Sequence, residues 1–224
     1  MGEPKSYHFK LKSLGRPEIH KLDEEWYPGV EKLWGTSSGK RPGDPIDSIV
    51  AIVIHATAGS SSAGAMSVMK GGNASWHWLV PDENEEQHGH FVWACTPEKK
   101  AAWHVRGSVS HADVNGGKKS VNGWSLGVEV VNAQVSDPFS AWQVEATARI
   151  VRYCWAKYPN LKDVVSHAKL DPTRRTDPGT GFDWDRFKDL VLNGANGGTV
   201  NPLVALARPV ASLTKVNAAS CCGT

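Results

Sequence analysis

The chain alternates between short, dense apolar runs and longer polar stretches, and the runs set its elements. Residues 48–55, containing IVAIVIH, carry no charge after Ser48, the pattern of a strand buried on both faces that ends in His55. Small residues at 57–62 predict a turn, and 63–70 a short helix stopped by Gly71 and Gly72. SWHWLV at 75–80 alternates as a strand, with His77 and Leu79 on the face opposite Trp76 and Trp78. A polar stretch at 81–89 precedes a short strand at 91–94, and a Gly, Ser and Lys-rich loop, an active-site flap or a simple connection, occupies 107–120. SLGVEVV at 125–131 predicts an apolar strand interrupted by Glu129. Trp142, Ala146, Ile150, Tyr153 and Cys154 recur at helical spacing, which predicts a helix over 141–158 with Ser140 as its N-cap. A strand at 164–166 enters a polar loop, and Asp183 caps a last helix at 184–192. Strands interleaved with helices predict an α/β fold: one domain with a mixed central β-sheet flanked by helices.

The flanks differ from this middle. Residues 1–48 are rich in Lys, Glu, Pro and Gly with scattered apolar anchors, an irregular arm packed on the core; 49–193 form the domain. Residues 194–224 are small and nearly uncharged, a linker and tail. In the 224-residue chain, 40% hydrophobic and 21% charged residues are ordinary for one globular core. A net charge of +2, with no basic cluster interleaved with aromatics, argues against nucleic acid as a partner. The N-terminus has no apolar signal region and no window approaches ~20 apolar residues. A soluble monomer made in the cytoplasm is the expectation, with any action on a wall following release or specialised delivery. The four cysteines, Cys95, Cys154, Cys221 and Cys222, have no metal-knuckle spacing and are expected as free thiols.

Candidate chemistry gathers at strand ends. His55 and His167 each close an apolar run, and Asp177 stands before a Pro-Gly turn in the loop that follows His167. Two imidazoles and a carboxylate make a three-ligand zinc set whose fourth position is open, the arrangement of a catalytic site. Hydrolysis also needs a base, and Glu129, a lone carboxylate inside an apolar strand, is the candidate; alternation could equally point it to solvent. Arg175, two residues before Asp177, could stabilise a developing oxyanion, or be a plain surface arginine. His88 and His90 form a weaker alternative metal pair. Gly123 to Gly127 satisfies G-x-S-x-G, but a strand follows where a nucleophile elbow requires a helix, so a serine hydrolase is disfavoured.

IVIHATAG, SWHWLV, AWHVRG, NGWSLGVEVVN and SHAKLDPTRRTDPG followed by FDW together resemble the zinc-dependent N-acetylmuramoyl-L-alanine amidases of the AmpD and phage lysozyme type, amidase type 2, relatives of peptidoglycan recognition proteins. The resemblance covers residues 49–190. It implies one zinc ion on His55, His167 and Asp177, Glu129 as the acidic catalytic residue, and peptidoglycan or a muropeptide as substrate. Arg175 falls where AmpD-type enzymes carry a lysine, which keeps the charge but removes proton transfer. Trp76 replaces a tyrosine of the phage enzyme. Trp76, His77, His104 and Asn122 match substrate-pocket positions. The resemblance leaves open a lytic enzyme, a recycling amidase acting on anhydromuropeptides, and a non-catalytic binding module, which typically lacks one of the three ligands that are all present here.

Overall fold

The apolar runs become the middle of a six-stranded sheet. The computed structural model describes residues 2–18, 37–85, 92–133 and 137–194. Its strands are β1 (His8–Lys10), β2 (Ser38–Lys40), β3 (Ala51–Ala56), β4 (Trp78–Val80), β5 (Trp93–Ala94), β6 (Lys100–Ala102), β7 (Ser125–Val130) and β8 (Asp163–Ser166). The helices are α1 (Pro45–Ser48), α2 (Ser62–Lys70), α3 (Ala141–Lys157), α4 (His167–Leu170) and α5 (Trp184–Asn193). The main sheet runs β1-β8-β3-β7-β4-β5, while β2 and β6 form a separate antiparallel ribbon. The four inner strands are parallel, and the edge strands β1 and β5 are antiparallel to their neighbours, so the sheet is mixed.

Both faces of the sheet are covered, which explains the unbroken apolar pattern of the inner strands. Ile52 and Ile54 of β3, Leu126, Val128 and Val130 of β7 and Val164 of β8 face a core shared with α3 and α5. Ala51, Val53 and Val165 face the other way, under Val105, Val109, Val114, Val121 and Trp124 of the loop between β6 and β7. The long loop expected at 107–120 is therefore fastened to the sheet by its valines. α2 covers a third cluster, in which Trp76 packs with Leu79, Met66, Met69 and Trp93. That corrects the expected alternation: β4 begins only at Trp78, so Trp76 lies before the pleat and joins the cluster of Leu79.

Helix ends follow their sequence signals. Ser140 and Gln143 form a reciprocal capping box on α3, and Asp183 accepts from the backbone N–H of Arg186 at the start of α5. The N-terminal segment departs from its expectation as an irregular arm, because residues 8–10 add β1 to the sheet beside β8. The apolar anchors expected at Trp26, Tyr27, Val30, Leu33 and Trp34, the histidines His88 and His90, and the tail lie outside the described residues.

Arg41 ties the ribbon to the sheet. Its guanidinium is buried and donates from Nε to the carbonyl of Glu98 (3.0 Å), from Nη1 to those of Gly123 (3.0 Å) and Ser125 (3.1 Å), and from Nη2 to that of Lys100 (2.9 Å). Burial pulls its pKa down to about 10, which leaves it charged at neutral pH. A planar fork reaches these carbonyls from one side chain, whereas an ammonium reaches few of them. Arg41→Lys is therefore expected to lower stability by about 3 kcal/mol, through acceptors left unpaired in the interior, read as a fall in the urea midpoint with unchanged slope.

At the opposite edge, Oδ1 of the buried Asp163 accepts from Nε2 of His8 (2.9 Å) and Nζ of Lys10 (2.7 Å), across the β1–β8 pairing. Burial pushes this carboxyl up, but the two hydrogen bonds outweigh it and hold Asp163 below the usual carboxylate range. A depressed folded pKa contributes stability that is complete above the unfolded value of about 3.9 and is lost as pH falls through the folded one. Asp163→Asn should accordingly lower the urea midpoint at pH 7 and lose less than the parent chain between pH 7 and pH 3.

Candidate active site

Three inner strands deliver the site at their carboxyl ends, the edge where open α/β sheets bind ligands. His55 is the fifth residue of β3 and pairs in register with Glu129, the fifth residue of β7. Alternation sends Ile54 and Val128 into the α3 core, so His55 and Glu129 share the opposite face. His167 opens α4 directly after β8, where Ser166 accepts from the backbone N–H of Lys169 as N-cap. Asp177 returns to the same point because its carbonyl accepts from the N–H of Ala168 (2.9 Å). The turn beyond it closes through Gly179, which donates to the Thr176 carbonyl (2.9 Å) at a φ of 91° suited to glycine.

Three donor atoms converge there. Nδ1 of His55 lies 3.0 Å from Nδ1 of His167, and Oδ2 of Asp177 lies 3.2 Å from the first and 3.0 Å from the second. All three residues are buried, and they could hold a metal ion. A tetrahedral ion with ligand bonds of ~2.0 Å sets its ligands roughly 3.3 Å apart, so the triangle has the right size.

Hydrogen bonds behind His55 fix which of its nitrogens carries the proton. The Ser125 hydroxyl donates to the carbonyl of Val121 (2.7 Å), leaving its oxygen to accept from Nε2–H of His104 (3.3 Å). Nδ1 of His104 is then an acceptor, and Nε2–H of His55 donates to it (3.0 Å). The lone pair of His55 Nδ1 is thereby aimed at Asp177 and His167, the outer support that metal-binding histidines need. Gly127 makes room for this arrangement: a Cβ there would stand 2.7 Å from Cγ of His104.

The electrostatics match. Burial, then the neighbouring His167, bring His55 down to about 4, so it is neutral at physiological pH. Burial acts to raise Asp177, yet the hydrogen bond from His167, with the His55 ring close beside it, prevails and holds it below the usual range. Glu129 is buried and shifted the other way: burial, then the Asp177 charge, push it well above the usual carboxylate range, while Arg175 partly offsets them. Solvent-facing alternation is thus ruled out for Glu129. Arg175 itself is exposed, and its charge is felt at both His55 and Glu129.

The four residues expected to line a substrate pocket are engaged elsewhere. His104 is the support of His55 just described. His77 is enclosed, accepting at Nδ1 from the N–H of Gly127 (2.9 Å) with Nε2 3.1 Å from the Lys100 carbonyl; burial, then Arg41, lower it to about 3. Asn122 closes a reciprocal pair with the backbone of Val105, at 2.9 and 2.8 Å. Trp76 is buried under α2. Their polar atoms or apolar surfaces are also used within the fold. Sequence reasoning missed Ser125, Gly127 and Arg41; the first two sit four and two residues before Glu129, on its own face of the strand, and that period-two relation was the available signal.

Known proteins share this arrangement of chain. The chain is 29% identical over 101 residues to the 1,6-anhydro-N-acetylmuramyl-L-alanine amidase AmpD of Enterobacter cloacae, covering 45% of this chain and 51% of that protein. It is 28% identical over 149 residues to the N-acetylmuramoyl-L-alanine amidase AmiD of Escherichia coli, covering 62% and 52%. The chain thus spans about half the length of these relatives. The fold matches AmpDh3 of Pseudomonas aeruginosa, solved in complex with an anhydromuramic pentapeptide, with a TM-score of 0.57 at 24% identity over 66% of this chain and 62% of that one. The family profile described as N-acetylmuramoyl-L-alanine amidase matches residues 45–180, a span that takes in the three converging donors, Glu129 and the strands that present them, so the chain belongs to the N-acetylmuramoyl-L-alanine amidase family.

Proposed function

We propose that this chain hydrolyses the amide between the lactyl group of N-acetylmuramic acid and the L-alanine of a stem peptide, with one zinc ion held by His55, His167 and Asp177. The observation that carries this reading is the triangle of two Nδ1 atoms and one carboxylate oxygen at 3.0–3.2 Å, with a protonatable Glu129 in register beside it. Two nitrogens and one oxygen suit zinc, which when bound lowers the pKa of water to about 7 and polarises a carbonyl.

The residues of the chain divide the remaining work. Ser125 and His104 keep the proton of His55 on Nε2 and so preserve the Nδ1 lone pair for the ion. Glu129 takes the proton of the attacking water on a carboxylate oxygen and returns it to the leaving amine nitrogen; its upward shift favours holding that proton between the two steps. Arg175 stabilises the negative charge that develops on the scissile carbonyl oxygen and, as a guanidinium, transfers no proton.

Soluble anhydromuropeptides are a second substrate reading beside intact peptidoglycan, favoured by the name of the AmpD relative and the ligand of the AmpDh3 complex. Mass spectrometry of products from both substrates, with a chelated control, separates the readings. Stem peptides bearing a free L-alanine amine, lost on chelation, are the expected product, and no cleavage of either substrate would leave a binding module in place of an enzyme. Glu129→Gln should retain the metal and lose at least ~100-fold in kcat, the scale of general acid–base catalysis. Arg175→Gln removes the positive charge that lowers Glu129, so the acid limb of kcat/KM should move to higher pH.

A further inference from the structure

The profile of the family begins at residue 45, yet the segment before it touches the metal-ligand candidates' supports directly. Ser166, the residue immediately before His167, donates its N–H to the carbonyl of Tyr7 (3.0 Å) and its hydroxyl to that of Pro4 (2.6 Å). The ring of Tyr7 stacks on Trp184 with centroids 4.7 Å apart and planes 3° from parallel. Its hydroxyl is 3.0 Å from the carbonyl of Gly2 and 3.5 Å from that of Phe182. Tyr7 is 3% exposed, so these contacts form in the interior.

These partners lie on opposite sides of the loop that carries Asp177. Ser166 and α4 enter the loop, and Phe182 and Trp184 leave it. A loop as long as 171–183, if its ends were free, would have many conformations available, and metal coordination tolerates errors of only about 0.5 Å. One side chain and its own carbonyl therefore bridge the two ends of the loop.

Building on the zinc-site reading, we propose that Tyr7 is a positioning residue for the metal centre: by joining Ser166 to Trp184 it fixes the separation of His167 and Asp177. The N-terminal segment is then part of the site's frame, although it contributes no ligand.

The test uses cobalt as probe in the full chain, reading affinity by competition with a chromogenic chelator and geometry by the visible d–d absorption bands. Tyr7→Leu keeps apolar bulk and removes the planar stack, and Tyr7→Phe keeps the stack. Met69→Ala, in the separate cluster under α2, controls for loss of stability alone. Tyr7→Leu is expected to bind cobalt about 10- to 100-fold more weakly with altered bands, as loss of outer support does. Tyr7→Phe should restore both readouts, and Met69→Ala should leave both unchanged at a temperature where it is folded. Wild-type affinity and bands in Tyr7→Leu, or equal losses in Tyr7→Phe and Met69→Ala, would overturn the proposal while leaving the zinc reading intact. Failure of the parent chain to bind cobalt would overturn the zinc reading itself and the proposal with it.

Discussion

The parallel, in-register pairing of β3 with β7 and β8 is the constraint on which the rest depends. Parallel pairing aligns carboxyl ends, so residues at like positions on neighbouring strands emerge side by side. That is how His55 comes to stand beside Glu129, and how His167 arrives one step beyond the end of β8. A slip of one residue in β7 would turn Glu129 into the α3 core and bring Val128 or Val130 to the site face. The apolar face of each strand therefore guards the chemistry on the other. Burying Ile52, Ile54, Val128 and Val130 under α3 is what holds a carboxylate and an imidazole in the interior on the opposite side.

Around that constraint the fold places charge where little solvent screens it. Glu129 is unsettled by burial and by Asp177, and the packing of β7 keeps it there. Asp177 is held below the usual carboxylate range beside His167 and His55. Two carboxyl groups in one small site are thus pushed in opposite directions: the His167 hydrogen bond prevails over burial at Asp177, while burial and the Asp177 charge raise Glu129. A divided pair of this kind is the pattern expected where one group must bind charge and the other must exchange a proton.

Much of this was legible in the chain. The uncharged run ending in His55, the lone acid in SLGVEVV and the Pro-Gly turn after Asp177 each carry a local signal, and the ligand candidates converge as those signals implied. Helix α3 was equally plain, because its period and cap agree. What sequence left hidden depends on contacts between distant segments. Arg41 looks like any surface arginine until carbonyls from two distant segments, 98–100 and 123–125, surround it, and residues 8–10 are too few to announce a strand. His104 and His77 are buried and hydrogen-bonded within the fold, and depth has no local signature.

The hydrogen bonds running from His55 through His104 and Ser125 to the Val121 carbonyl all point the same way. Each ring or hydroxyl in the series gives a proton outward and accepts one from the member nearer the centre. The Val121 carbonyl can only accept, so the last bond has one direction, and reversing either of the others leaves two donors or two acceptors facing each other. The polarity of the site is therefore collective: a backbone carbonyl in the loop over β7, touching none of the converging atoms, decides on which side of the His55 ring its electron pair resides.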